Sequence, residues 1–535
     1  MQLDTTTSQG IRADQESSPR IGPVAERIRV RAAATPDATC LRWEVDGAPT
    51  ALTFAEMWAA VEDAADHLRR RGIGPLDKVA VLSPNDARVV VATVGVLAIG
   101  AAWLPVNSRE SVDTIATLLD QFGCDLLVAH RDLQPVAREV AARVPTLRGV
   151  IDLDDLASGV RSSGIVEPLP PRPGGHDESD RDLAAIFPTG GTTGRSKGVA
   201  FTHERLAALV DAYAEVQAKP DDVYLAAAPL THVGGRICLS VIASGGTVVV
   251  LPAFEETEVL RAIHRYGVTT LTVTSTMLYR LIDAPDRASY DTSSLRALVY
   301  GAAPTAVSRI REAIEEFGPV MEGGYGQTEA PMFITRFRAA DHLVDGTPAP
   351  DARLRSVGRP TAVSEVRVVD ADGADLPAGE PGRILVRGAF TMAGYYHDPD
   401  NTALRTEADG FRSTGDIGFL DADGFLTLVG RETDLIITGG FNVYPAEVEN
   451  VVAAQRGVRE CAVFGLPDDV WGEAVVAVVV PEDGVELDPD VLRQAVRPLL
   501  GGVKTPKRID VVAELPRNDN GKILKRVLAH ERRGA

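Results

Sequence analysis

Short runs of β-branched and aliphatic residues alternate with amphipathic helical stretches through most of this chain, and that alternation leaves few folds open. Strand-like runs fall at Lys78–Leu82, 125–129, 247–251, 269–273 and 297–300. Between them lie patterns such as 54–71, where Trp58, Val61, Ala65 and Leu68 recur at helical spacing. Parallel strands need a crossover and helices supply it, so the expectation is an α/β fold with layered, parallel-rich sheets.

The texture changes near Val366. Short strands separated by the turns Asp372-Gly373, Asp409-Gly410 and Asp423-Gly424 predict a β-rich subdomain over 366–430. After Gly430 comes a compact α+β pattern: a helix from Pro445, strands at 461–465 and 474–480, and a helix from Pro489. The organisation read from this is a disordered tail over 1–20, a large domain over 21–431 and a small C-terminal α+β domain over 432–535. Residues 158–181, rich in Pro, Gly, Ser and Asp, read as a long exposed loop.

At 535 residues the chain exceeds one ordinary domain. A net charge of −20 argues against nucleic acid or an anionic membrane as the main partner, since both need basic surface. Cys40, Cys124, Cys238 and Cys461 are far apart and lack zinc-ligand spacing, so a reducing cytoplasm is the expected compartment. The polar N-terminal stretch lacks the apolar core of a signal peptide. The apolar run 89–106 is as long as a membrane-span candidate, about 18 residues. Gly95, Gly100 and Pro105 interrupt it, which predicts a buried helix over 87–99 and then an interior strand through Trp103 and Leu104.

The most informative segment is Phe187-Pro188-Thr189-Gly190-Gly191-Thr192-Thr193-Gly194-Arg195-Ser196-Lys197-Gly198-Val199. An apolar strand runs into a loop of Gly and Thr that carries one Lys and one Arg. Glycines let backbone N–H groups converge on an anion, hydroxyls add donors, and Lys197 supplies a mobile charge. The segment is not a Walker A loop, because Arg195 and Ser196 separate Gly194 from Lys197.

This loop resembles the phosphate-binding signature of the adenylate-forming superfamily: acyl-CoA synthetases, firefly luciferase and peptide-synthetase adenylation domains, with fatty-acid and aryl-acid CoA ligases the most similar. Further matches follow in the family's order, and the resemblance covers nearly the whole chain. It implies ATP and Mg²⁺ as cofactors, CoA as co-substrate, a small-molecule acid as partner, and a small domain that moves. It implies phosphate contacts from Thr189, Gly190, Gly191, Thr192, Thr193, Gly194 and Lys197. Pro229-Leu230-Thr231-His232-Val233-Gly234 implies that His232 stands near the acid carboxylate or the α-phosphate. Gly301-Ala302-Ala303-Pro304 resembles the loop on which adenine rests. Gly324-Tyr325-Gly326-Gln327-Thr328-Glu329-Ala330 implies Tyr325 stacked on adenine, Thr328 on the α-phosphate and Glu329 on Mg²⁺. Asp416, in Ser413-Thr414-Gly415-Asp416, implies a ribose ligand, and Arg431 a contact to the ribose and phosphate region. Lys522, in a C-terminal loop, implies the catalytic lysine that bridges acid and α-phosphate. Acid pocket residues are expected along 231–240, 276–279, Tyr300 and 323–334.

The implied reaction is attack of an ionised carboxylate on the α-phosphate, giving acyl-adenylate and pyrophosphate, then transfer to the CoA thiol with loss of AMP. The loop departs from the family at Thr189-Gly190-Gly191, where Thr-Ser-Gly is usual. The pivot two residues after Arg431 is Thr433, where Asp or Lys is usual. These departures motivate an alternative, a CoA-independent adenylating enzyme that loads a carrier protein or activates nitrite. No transmembrane segment is expected, and a homodimer remains among the open assemblies.

Overall fold

In the computed structural model the described residues are 21–45, 47–157, 167–172, 175, 177–189, 196–219, 221–482, 484–517 and 523–533. The expected tail over 1–20 and parts of the expected loop over 158–181 lie outside them.

The apolar run 89–106 shows how sequence becomes core here. The helix Ala87–Ala98 starts where the Asp86 carboxylate accepts from Arg88 N–H, and nearly every side chain after Arg88 is buried. Gly100 then takes φ +79°, the left-handed turn that glycine adopts at no steric cost, and the fully buried strand Ala102–Val106 follows. Among the described residues no helix is long and apolar enough to cross a membrane. The helix Phe54–Arg70 begins on a reciprocal cap, Thr53 Oγ1 accepting from Glu56 N–H and the Glu56 carboxylate from Thr53 N–H. Its buried stripe is Phe54, Met57, Val61, Ala65 and Leu68, while Trp58 sits half-buried at the rim and donates to Glu62.

Two large sheets carry the N-terminal part. The first runs Gly394–Tyr395, Lys197–Thr202, Leu183–Thr189, Ala102–Val106, Lys78–Leu82, Leu126–Ala129, Gly149–Asp152. The second has nine strands and includes Ala297–Gly301 beside Met321–Gln327, which in turn pairs with Ala330–Phe337. Central strands of both are parallel, as the alternation implies, and buried on both faces, which is why they read as continuous apolar runs. Antiparallel hairpins are added at their edges, Leu183–Thr189 with Lys197–Thr202 and Met321–Gln327 with Ala330–Phe337. A four-stranded antiparallel sheet follows, formed by Glu365–Val369, Gly382–Arg387, Arg412–Leu420 and Leu426–Arg431. Beyond residue 435 a five-stranded sheet has its own core of Ile436, Val448, Val463, Val475, Ala477 and Val496. Its two long strands, Val458–Asp468 and Gly472–Pro481, extend past their apolar centres on both sides.

Candidate functional site

The hairpin Met321–Gln327/Ala330–Phe337 turns through Thr328 and Glu329 and so delivers three expected residues at one point. Its register slips between Tyr325 and Gln327, a bulge that re-aims side chains. A Cβ on Gly326 would lie 2.3 Å from Met332 N, so only glycine fits there. Met332 and Ala302 both hold positive φ, +62° and +67°. Non-glycine residues rarely adopt that conformation, and such strain concentrates at functional sites.

Tyr325 reaches from this hairpin to the four-stranded sheet. Its Oη donates to Asp416 Oδ2 at 2.5 Å, and Arg431 Nε lies 3.3 Å from Asp416 Oδ1. Burial, reinforced by the Asp416 charge, pushes the Tyr325 hydroxyl well above its ordinary pKa, so it stays a donor. Asp416 is buried and Arg431 exposed, so the pair forms the rim and floor of one corner. Gly301, Ala302 and Ala303 close the strand beside this hairpin, with Ala303 O accepting from Ser275 Oγ at 3.1 Å.

A second group forms around Glu329. Tyr395 Oη donates to Glu329 Oε1 at 2.8 Å, and Lys197 Nζ sits 4.9 Å from the centre of the Tyr395 ring while donating to Asn401 Oδ1 at 3.0 Å. Thr189 pairs with Lys197 across the strands that flank the loop, its Oγ1 donating to Lys197 O at 3.2 Å. A cavity of about 260 Å³, open mouth included, is lined here by Glu329, Tyr395, Arg405, Arg412, Ser413 and Thr414. Burial and the neighbouring Arg205 lower the pKa of Arg412, a sign of positive charge crowded into this corner.

Glu329 suits Mg²⁺ by its chemistry. It is a half-buried, hard oxygen donor with Oε1 oriented by Tyr395, leaving Oε2 for an ion. Among the described residues no group of three or more His, Cys, Asp or Glu gathers into a cage, so such an ion would share its coordination with phosphates and water.

His232 lies in the wide helical turn Leu230–Gly234 at φ −115°, ψ −135°, with Nδ1 3.0 Å from Thr231 Oγ1. The turn is pinned by Asn85, whose amide donates to Ala228 O and whose carbonyl accepts from Leu230 N–H. Thr433 is exposed and donates to Asp434 Oδ1 at 3.2 Å. Gly190, Gly191, Thr192, Thr193, Gly194 and Lys522 lie outside the described residues. Two residues expected along the acid pocket spend their polar atoms within the fold. Ser240 Oγ donates to Arg236 O at 2.9 Å, and Tyr300 Oη lies 2.9 Å from His342 Nε2. Tyr395, Asn401 and Arg405 were not singled out from the sequence. Asp398, whose carboxylate caps the helix Pro399–Leu404 that carries Asn401, was a readable signal there.

Known proteins share this chain's sequence pattern and fold. The profile of the family described as AMP-binding enzyme matches residues 28–396, and that of the AMP-binding enzyme C-terminal domain matches 447–522. A feruloyl-CoA synthase of Amycolatopsis is 36% identical over 503 residues, covering 92% of this chain and 96% of that protein. A medium/long-chain-fatty-acid–CoA ligase of Mycobacterium tuberculosis is 34% identical over 489 residues, covering 88% of this chain and 84% of that one. Among solved structures, an amide bond synthetase from Marinactinospora thermotolerans is 33% identical at a TM-score of 0.83, covering 95% of this chain and all of the other. The chain belongs to the AMP-binding enzyme family, as an AMP-forming acid–thiol ligase of the acyl-CoA synthetase type.

Proposed function

We propose that the cleft joins ATP to a bulky aliphatic or aromatic carboxylic acid, releasing pyrophosphate, and then passes the acyl group to CoA with loss of AMP. The observation that carries this reading is the pair of poles on one hairpin. Tyr325 meets Asp416 and Arg431 at one end, and Glu329 meets Tyr395 and Lys197 at the other. In this reading the Tyr325 ring stacks on adenine, with Gly301, Ala302 and Ala303 beside it. Asp416 accepts from the ribose hydroxyls, an acceptor-only group suited to a vicinal diol. Thr328 donates to the α-phosphate, and Thr189, Lys197 and the 190–194 loop hold the β- and γ-phosphates.

A carboxylic acid with a pKa of about 4 is ionised at neutral pH and needs no general base. The site's task is therefore to bring two anions together and neutralise the charge that leaves. Mg²⁺ on Glu329 supplies part of that neutralisation. Lys522 bridges acid and phosphate, and His232 guards the approach of the acid. We assign residues 21–431 to the large domain and 432–535 to a lid pivoting at Thr433, with the protein cytoplasmic and a monomer or homodimer. Feruloyl and fatty acyl groups, named for two relatives, set the acid class to try first.

The test is pyrophosphate release from Mg·ATP across a panel of acids, with and without CoA. Release with one acid, plus AMP and thioester once CoA is present, is the expected result. Release with accumulating adenylate and no thioester would instead favour an acceptor other than CoA, an amine, a carrier protein or, with nitrite, an amino group.

A further inference from the structure

The helix Gly235–Ser244 follows directly on the turn that carries His232, and its buried residues are small or apolar except one. Arg236 is 6% exposed, and its Nε and Nη1 are sealed from solvent with no hydrogen-bond partner among the described residues. Other buried or half-buried cations of this protein are treated differently. Lys78 meets Asp180 at 2.7 Å, Arg148 meets Asp77 at 2.9 Å, and Arg172 meets Asp125 at 2.7 Å. Burying a charge without a partner is costly, and a ring contact offsets only part of that cost. The ring is Phe187, whose centre lies 4.4 Å from the guanidinium carbon. Phe187 is itself gripped edge-on by Trp103 and Phe201, at 5.4 and 5.6 Å, so the cation has a rigid floor.

The position of that floor matters. Phe187 belongs to the strand Leu183–Thr189, whose end opens the phosphate loop. Burial pushes the Arg236 pKa down to about 10, and the charge that works against this is Glu329. The guanidinium remains charged at neutral pH, lying over the Phe187 ring at the base of the loop and within the field of the carboxylate assigned to Mg²⁺. A planar fork of N–H donors matches phosphate and carboxylate geometry.

We propose that Arg236 is a binding residue for an anionic oxygen of the bound reactants, a phosphate oxygen of the nucleotide or the carboxylate of the acid, and that its hydrogen bonding is completed only when the cleft is filled. The proposal rests on the reading of this cleft as the ATP and acid site.

The test uses the full-length protein and its Arg236→Met and Arg236→Lys variants, with Mg·ATP as the phosphate probe and decanoate and ferulate as carboxylate probes. Three quantities are read: the unfolding midpoint without ligand, the shift produced by each probe, and KM for ATP and for an acid the wild type turns over. Methionine replaces an unpaired buried charge by an apolar chain, so the ligand-free midpoint should not fall. If phosphate is the partner, the Mg·ATP shift shrinks and KM for ATP rises about tenfold, with the acid KM unchanged. If carboxylate is the partner, the acid KM rises and the Mg·ATP shift is kept. Lysine should recover part of the loss in either case, because it keeps the charge and forfeits the fork. A lower ligand-free midpoint with both probe shifts and both KM values intact would overturn the proposal and leave Arg236 as packing for Phe187. A wild type that shows no Mg·ATP shift would sink the nucleotide reading itself, a failure separable from that of the variants.

Discussion

Asp416 already meets the hydroxyl of Tyr325 and the guanidinium of Arg431 before any nucleotide arrives. Removing its carboxylate should therefore do more than delete the proposed ribose contact. Asp416→Ala is expected to lower kcat/KM for ATP about 100-fold, while Tyr325→Phe, which keeps the ring and loses one donor, costs about threefold. Steady-state pyrophosphate release checks both. His342 supplies a residue-scale prediction of another kind. It is buried against Phe337, with Nδ1 2.9 Å from Arg338 O and Nε2 2.9 Å from Tyr300 Oη, and burial lowers its pKa from 6.5 to about 4. The unfolded chain binds a proton in that interval and the folded one does not, so this contribution to stability is complete above pH 6.5 and drains away as pH falls to about 4. The loss is on the order of 3 kcal/mol, and His342→Gln should flatten it in urea midpoints measured across that range. Tyr325, Glu329 and Asp416 were legible because each lies in a motif that resembles the family's. Tyr395 and Arg236 were not, since what singles them out is a partner, or the want of one, brought by a distant strand. A lone arginine inside the apolar run Gly235–Ser244 was the one visible hint.

At the scale of elements, the sheets stand on a few buried ion pairs as well as on aliphatic packing. Lys78, on a fully buried strand, donates to Asp180, which also accepts from Tyr396 Oη at 2.9 Å. Asp180→Ala strands a buried ammonium and should destabilise the protein by about 3–5 kcal/mol, read as a drop in urea midpoint, with Asp180→Asn in between. The strands most easily read from sequence were central ones such as Lys78–Leu82, buried on both faces and so continuous in apolar residues. The long C-terminal hairpin was read short at both ends. Its ladder continues through Glu460, Asp468 and Glu473, where pairing persists after hydrophobicity stops. The strand Met321–Gln327 was hidden, because its glycines and motif residues mask the alternation that marks a strand.

For the whole molecule, one cleft serving two half-reactions requires that parts be separable in kinetics. Lys522→Ala should slow adenylation about 100- to 1,000-fold yet leave thioester formation from supplied acyl-adenylate. Thr433→Pro, which stiffens the proposed pivot, should do the reverse, sparing the first burst of pyrophosphate while slowing thioester turnover about tenfold. Rapid-quench measurements of both steps decide. The layered α/β architecture with parallel-rich sheets was legible because βα alternation constrains it, whereas the meeting of Tyr325 with Asp416 depends on how separate sheets abut. That meeting also limits how the chain can vary in length. Side chains alternate faces along a strand, so one residue inserted or deleted within Met321–Gln327 would turn Tyr325 away from Asp416 or dislodge Glu329 from Tyr395. Among the described residues the turns at Asp372-Gly373 and Asp409-Gly410 carry no such pairing across sheets, their partners Arg367 and Arg387 lying within the same four-stranded sheet. Insertions drifting into lineages of this protein should collect at those turns and be purged from the hairpin, leaving a stretch of fixed length amid variable ones.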